Sequence, residues 1–322
     1  MNTDQLLQEV RAVVGEQRAL LYERELATLP THREVMHQVI ARLPKNHKIL
    51  FVDNSIPLTD EQQTKRGVAS KAQHAAHAIS ECTTPGNTNT AQRLKSMFGY
   101  EDEFDSRAIV WHAPFETPVT SLDDITAIIL SGSGAMVTDH ATAPWMQREM
   151  AVIQEAAERK IPVLGICFGH QIMAQAMGGQ VDWMVDAAGE RIMELGPTAA
   201  TITPEGLADP LLANVADAEQ QFTVQATHSQ HVTVQPPNTN VLATNTVSPI
   251  QALRYTGLPF WSLQNHPENS MILMDIRIEE MRSFLDAELF NDAVHRLTTV
   301  DTTAAKTHLF ANFLTFVADY QH

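Results

Sequence analysis

The sequence predicts an α/β domain: a doubly wound, mostly parallel sheet with flanking helices and a small antiparallel patch. Three observations predict it. Short apolar runs (KILFVD at 48–53, AIVW at 108–111, AIIL at 127–130, IPVLGI at 161–166) have the hydrophobicity of strands buried on both faces. Stretches with helical spacing alternate with them, which is the pattern of a parallel sheet. The chain is also long and apolar enough, with 322 residues of which 44% are hydrophobic, for one large domain or about two ordinary ones.

Taken in order, residues 1–44 read as two helices. Leu6, Val10, Val13, Leu20 and Leu21 recur at helical spacing with charges between them. After Pro30, Thr31-His32-Arg33-Glu34 fits a capping box that would start a second helix, with Val35, Met36, Val39, Ile40 and Leu43 as its stripe and Pro44 as its stop. Such a stripe either packs on the core or docks another chain. The first strand follows at 48–53. Residues 54–105 are polar, with helices expected near 68–81 and 90–98. The second and third strands come next, the third ending in Ser131-Gly132-Ser133-Gly134. A helix follows from about Trp145 to Arg159, then the fourth strand. Residues 180–265 change texture. Thr- and Val-rich pieces such as Thr201-Ile202-Thr203 and His231-Val232-Thr233-Val234 sit between turn residues and suggest antiparallel hairpins. Beyond 270 the pattern is helical again, with Leu309, Phe310, Phe313, Leu314 and Val317 on one face. The expected organisation is an N-terminal helical extension (1–44), a flavodoxin-like α/β domain (45–270) and a C-terminal helical extension (271–322).

Charge narrows the function. Lys and Arg total 22, Asp and Glu 38, for a net charge of −16. Such a surface repels phosphate backbones and anionic lipid, so neither nucleic acid nor membrane is expected as a partner. No apolar run reaches ~18 residues, and the charged N-terminal stretch lacks the apolar segment of a secretory signal. Two cysteines, Cys82 and Cys167, suit free thiols in the cytoplasm.

The chemistry centres on Gly165-Ile166-Cys167-Phe168-Gly169-His170-Gln171. An apolar strand runs into a Gly-x-Cys-x-Gly turn and then a helix, Gln171 to Met177, closed by Gly178-Gly179. A lone Cys is usually a small buried apolar side chain. Glycines at a strand-to-helix junction argue instead for a nucleophile elbow, which projects the thiol off the carboxyl edge of the sheet beside the helix amides. Cys82 has no such setting. A thiolate needs a base, and the base an orienting group. Among fourteen histidines, His266 stands out. In Gln264-Asn265-His266-Pro267-Glu268, His266 and Glu268 are two apart and so share one side of an extended segment, with Pro267 stiffening the link.

The elbow followed by His-Pro-Glu resembles the class I, triad-type glutamine amidotransferases, in particular their GMP-synthetase-like stand-alone branch. Leu130-Ser131-Gly132-Ser133-Gly134 falls where that family has its oxyanion strand-loop. Asp209-Pro210-Leu211-Leu212 is similar to its Asp-Pro-Leu segment, and Thr227-His228-Ser229-Gln230-His231-Val232 to its Ser-His-Gly-Asp-x-Val segment. The resemblance covers residues 48–270. It implies Cys167 as nucleophile, His266 as base and Glu268 as orienter. It also implies an oxyanion hole from the amides near Gly132 and Ser133 with that of Phe168, and a glutamine pocket lined by Gln171, Thr227, His228 and Ser229. Ser229 and Gln230 replace Gly and Asp, and Asn265 replaces Phe, without touching the triad. The activity implied is hydrolysis of the glutamine side-chain amide through a γ-glutamyl thioester, with no metal and no cofactor. The sequence carries no phosphate-binding Gly-x-x-x-x-Gly-Lys-Ser/Thr loop, so the ammonia acceptor is expected on a synthetase partner chain, with a homo-oligomer as the other assembly. A γ-glutamyl peptide hydrolase and a non-catalytic scaffold are the competing expectations.

Overall fold

A computed structural model describes residues 7–8, 11–12, 15–56, 107–118 and 121–320. The helices expected near 68–81 and 90–98, Cys82, and Leu6, Val10 and Val13 lie outside the described residues.

Nine strands form one mixed sheet. Five are parallel neighbours, in the order β2 (Ala108–His112), β1 (Lys48–Asp53), β3 (Ile125–Leu130), β4 (Val163–Ile166) and β11 (Phe260–Leu263). The sheet continues antiparallel through β10 (Ala252–Tyr255), β9 (Thr239–Thr244), β6 (Glu194–Ile202) and β7 (Gln221–His228). The antiparallel region is therefore larger than the sequence suggests, because most of the Thr- and Val-rich segments extend the main sheet. Only β5 (Gln180–Trp183) and β8 (Gln230–Val234) pair separately, as a two-stranded sheet.

Alternation along the central strands builds two cores. Ile49, Phe51, Ile129, Leu164 and Ile166 face one way; Leu50, Val52, Ile128, Leu130 and Val163 face the other. The first face is covered by α1 (Glu16–Arg42), through Met36, Val39 and Ile40, and by α7 (Thr303–Asp319), through Leu309, Phe310, Phe313 and Leu314. The second is covered by α2 (Pro144–Arg159), through Met146, Val152 and Ile153, and by α3 (Phe168–Ala176), through Ile172 and Met173. A one-turn helix α4 (Pro204–Leu207) follows β6. Residues beyond 270 form α5 (Met271–Met281), α6 (Ala287–Thr299) and α7.

The capping box at Thr31 does not start a helix. α1 is one helix of 27 residues with Pro30 inside it, and its N-cap is Gly15, which makes no side-chain cap. Proline removes one backbone bond, at a cost of about 3 kcal/mol in a helix interior. Packing on both sides outweighs that cost. N-terminal to Pro30, Leu21 and Tyr22 pack with Met271 and Ile272 of α5. C-terminal to it, Met36, Val39, Ile40 and Leu43 enter the sheet core. Burial inside the chain thus uses up most of the apolar stripe; Leu20 stays 47% exposed. Two polar clusters fix α1 further. Arg18 pairs with Asp275 and Glu279 of α5, while the Tyr22 hydroxyl donates to the other oxygen of Asp275. Glu25 and Lys306 form a buried ion pair between α1 and α7.

Candidate active site

The site lies at the carboxyl ends of β3, β4 and β11, where open α/β sheets bind ligands. Between β4 and α3 the chain turns on Cys167, whose φ of 52° and ψ of −103° are rare for a residue with a side chain. Such a conformation costs about 1–3 kcal/mol and persists only where the surroundings enforce it. They do so here by close approach. A Cβ on Gly165 would lie 2.6 Å from the Gly169 carbonyl oxygen, and one on Gly169 would lie 2.5 Å from that of Leu130. Both glycines are therefore dictated by space. α3 begins at Phe168, three residues before the sequence places it, because Cys167 is itself the N-cap. The Cys167 amide donates to Leu263, and the thiol points to the Thr227 carbonyl at 3.8 Å.

His266 follows β11 and is held by its amide, which donates to the Gln225 carbonyl at 2.7 Å. Its Nδ1 lies 2.5 Å from Oε1 of Glu268, and its ring and Cys167 both border Gly132, where a Cβ would lie 2.6 Å from the ring Cε1 and 3.5 Å from the Cys167 Cβ. All three side chains are nearly inaccessible. Burial alone would lower the imidazole pKa. The negative charges of Glu268 and Cys167 outweigh it and raise the value to about 10. The geometry therefore favours the protonated imidazole.

The loop after β3 forms the opposite wall. A Cβ on Gly132 would come within 3.5 Å of the Cys167 Cβ. The Phe168 amide, first in α3, has no acceptor within its own helix. Gly132 and Phe168 thus flank the thiol. Ser133 borders the same cleft. Its hydroxyl donates to the Asn54 carbonyl and accepts from the Ala135 amide, which fixes the loop.

Beside Cys167 opens a cleft of about 200 Å³, and Gln171, Thr227, His228 and Ser229 border it. Two of these carry tasks of their own. The Gln171 amide donates to the Gln230 carbonyl and to Gln264 Oε1. The His228 ring sits between the Gln230 carbonyl and the Glu194 carboxylate, so its side chain braces the wall. Burial would raise the pKa of Glu194, but His228, Asn245 and Gln251 outweigh it and hold the pKa below its ordinary value. Gln230 borders the cleft too, with its side-chain amide engaged. Its amide oxygen accepts from the Val137 amide and its nitrogen donates to Thr138. Asp209 caps the turn at Leu211 and accepts from the Trp261 indole, a structural role.

Sequence reasoning missed three features. Met193, Arg277 and Met281 border the cleft, the last two from α5. Glu194 lies behind His228. Glu149, on α2, is wholly buried beneath the Gly132 loop: Asn54 Nδ2 donates to its carboxyl and to the Ser131 carbonyl, and the Asn54 amide donates to Ser131 Oγ. A signal for Glu149 existed, since it stands in the apolar stripe Met146-Glu149-Val152-Ile153-Ala156. Among the described residues no group of three or more His, Cys, Asp or Glu side chains could hold a metal ion, and no helix is long and apolar enough to cross a membrane.

Comparison with known proteins points the same way. A family model described as "Glutamine amidotransferase class-I" matches residues 92–283. The chain is 30% identical over 160 residues to one separate subunit of the glutamine-hydrolyzing GMP synthase of Methanococcus aeolicus, covering 49% of this chain and 73% of that one. It is 34% identical over 157 residues to the glutamine-hydrolyzing GMP synthase of Bifidobacterium longum, and there the match spans 48% of this chain but only 26% of the relative. Among solved structures, a glutamine amidotransferase from Thermotoga maritima shares the fold, with a TM-score of 0.57 at 15% identity over 85% of this chain and 99% of that one.

Proposed function

The chain belongs to the class-I glutamine amidotransferase family, in its GMP-synthetase-like branch, and we propose that it hydrolyses the side-chain amide of glutamine through Cys167, His266 and Glu268. The observation that carries the reading is the His266–Glu268 pair at 2.5 Å beside Cys167, with Gly132 packed against both the imidazole and the cysteine.

In this mechanism the Cys167 thiolate attacks the amide carbon. The carbonyl π pair moves to oxygen, and the oxyanion is met by the amides of Phe168 and the Gly132–Ser133 loop. His266, protonated at rest, gives its proton to the amide nitrogen as the C–N bond breaks. Ammonia leaves and a γ-glutamyl thioester remains. The neutral His266 then takes a proton from water, whose oxygen attacks the thioester carbon. Collapse of that intermediate releases glutamate and regenerates the thiolate–imidazolium pair. Glu268 keeps the imidazole in one orientation and favours its charged form throughout.

Relatives that are named as separate subunits of GMP synthase support a further step, delivery of the ammonia to a synthetase carried on another chain. We assign the amidotransferase unit to residues 45–270, braced by α1 on one side of the sequence and by α5, α6 and α7 on the other. A thiolate nucleophile needs a reducing compartment, which supports a cytoplasmic setting. The test is to incubate the protein with glutamine, measure glutamate and ammonia in equal amounts, and trap the thioester on Cys167 by acid quench and peptide mass. Glutamate release with no acyl adduct on Cys167 under single-turnover conditions would overturn the assignment.

One observation favours a second reading, a γ-glutamyl peptide hydrolase. A cavity of about 550 Å³ shares Met193 and Ser229 with the smaller cleft, giving room for a leaving group larger than ammonia. Turnover of γ-glutamyl peptides faster than glutamine, without any partner, would select it.

A further inference from the structure

Helix α5 lends one face to the cleft. Met274, Arg277 and Met281 are spaced i, i+3 and i+7, so they line up along one side of the helix. Met274 touches the Thr227 hydroxyl through its sulfur, and Arg277 and Met281 border the cleft itself. Two acidic residues of α5, Asp275 and Glu279, face α1 and are both engaged by Arg18, and Glu280 follows Arg277 by one turn. Ser270 caps the helix by accepting from the Leu273 amide, so its start is pinned as well.

Arg277 is half-buried and has no hydrogen-bond or ion-pair partner among the described residues. A guanidinium in that state keeps its bidentate donor face available for a planar anion. It is also the one charged side chain among the described residues that border the cleft with Cys167. The others are neutral polar or apolar apart from His228, whose ring is engaged in the wall. Sites for drug-sized ligands run to roughly 300–1,000 Å³, so a cleft of about 200 Å³ suits a single amino acid.

Resting on the glutaminase reading above, we infer that Arg277 is the residue that recognises the substrate's carboxylate, so that the chain selects ω-amides bearing a free carboxylate at the far end from the reacting carbon. No carboxylate among the described lining residues waits for an α-ammonium, so the carboxylate is the handle by which the amino-acid end is held.

The test is covalent labelling of Cys167 in the full chain, which needs no acceptor partner. The probes are an electrophilic glutamine analogue (the chloromethyl ketone in place of the amide) and its methyl ester, which masks the carboxylate. Peptide mass distinguishes Cys167 from Cys82. The readout is the ratio of labelling rates, acid over ester, a quantity that a general loss of folding does not create. The parental ratio is expected to exceed about tenfold, the range of one charge-assisted hydrogen-bonded pair. It should fall at least tenfold in Arg277→Gln and recover in part in Arg277→Lys, which keeps the charge and loses the fork. An unchanged ratio in Arg277→Gln overturns the assignment while leaving the glutaminase reading standing. If Cys167 of the parental protein reacts with neither probe, the glutaminase reading itself fails and the assignment falls with it.

Discussion

A Cβ built on Gly132 would lie 2.6 Å from Cε1 of His266. The imidazole therefore packs directly on backbone, and one methyl group at position 132 must displace either the ring or the loop. Gly132→Ala should cut glutamine turnover by roughly 10²-fold, the scale of a misplaced catalytic group. The fold should survive, since the clash is confined to the site. Circular dichroism and initial rates measure the two separately. An alanine variant with parental kcat would mean that the ring does not need its present position.

The roles given to these three residues predict an order of damage. Cys167→Ala should lower turnover by more than ~10³-fold, because what remains comes from binding and the oxyanion donors alone. His266→Ala should be nearly as severe, and Glu268→Gln less so. Glu268→Gln also carries a sign. Removing its charge takes away the largest attraction that holds the His266 pKa near 10 against burial. The imidazole midpoint, followed by NMR of ring-labelled histidine, should move down. A midpoint that stays or rises would contradict the role given to Glu268.

Glu149 predicts a pH dependence of stability. Burial, only partly offset by the Asn54 hydrogen bond, raises its pKa from the ordinary 4.5 to about 8. The folded chain then holds a proton that the unfolded chain releases, so folding stability falls as pH rises from about 4.5 through about 8. The whole effect is on the order of 5 kcal/mol. Glu149→Gln keeps an oxygen for Asn54 and removes the titration. Urea midpoints at pH 6 and pH 8.5 should differ clearly in the parent and much less in the variant. Equal pH slopes in the two proteins would refute it.

Helix α1 predicts a contrast between two of its own residues. Met36 is wholly buried in the sheet core, whereas Leu20 is 47% exposed. Met36→Ala should cost about 2–5 kcal/mol and Leu20→Ala close to nothing. Similar losses at the two sites, by chemical denaturation, would mean that α1 covers the sheet less tightly than the packing indicates.

The strands and the elbow were legible because each is a local signal. An apolar run of four to six residues can hardly be anything but a buried strand beside periodic helices, and glycines flanking Cys167 mark a turn that only close approach explains. His266 and Glu268 meet, but not across the extended stretch that the sequence suggests: Pro267 and Glu268 form a turn in which the Asn269 amide donates to the His266 carbonyl. The capping box at Thr31 misled because it is local too, while what carries α1 through Pro30 is contact with α5 and α7, hundreds of residues away in sequence. Arg277 left no trace. A basic residue in an amphipathic helix reads as solvent-facing until the fold brings that helix to the cleft. Thr201–Thr203 and His231–Val234 looked alike in sequence, yet one lies at the end of a main-sheet strand and the other in the separate pair. Only long-range pairing decides between those.

The buried pair of Glu25 and Lys306 joins positions 281 residues apart. During synthesis at ~5–20 residues per second, roughly 15–55 seconds separate the emergence of the two partners from the ribosome. For that interval α1 waits without α7, and the sheet face that both cover is incomplete. The parallel strands also need partners far along the chain, which slows pairing further. That face is thus the last part of the molecule to close, and a nascent chain halted before residue 303 presents Phe51, Ile129 and Leu164 to whatever hydrophobic surface meets it first. Dependence on a chaperone during translation, and sensitivity to C-terminal truncation far from the catalytic cysteine, are consequences of where two helices happen to rest.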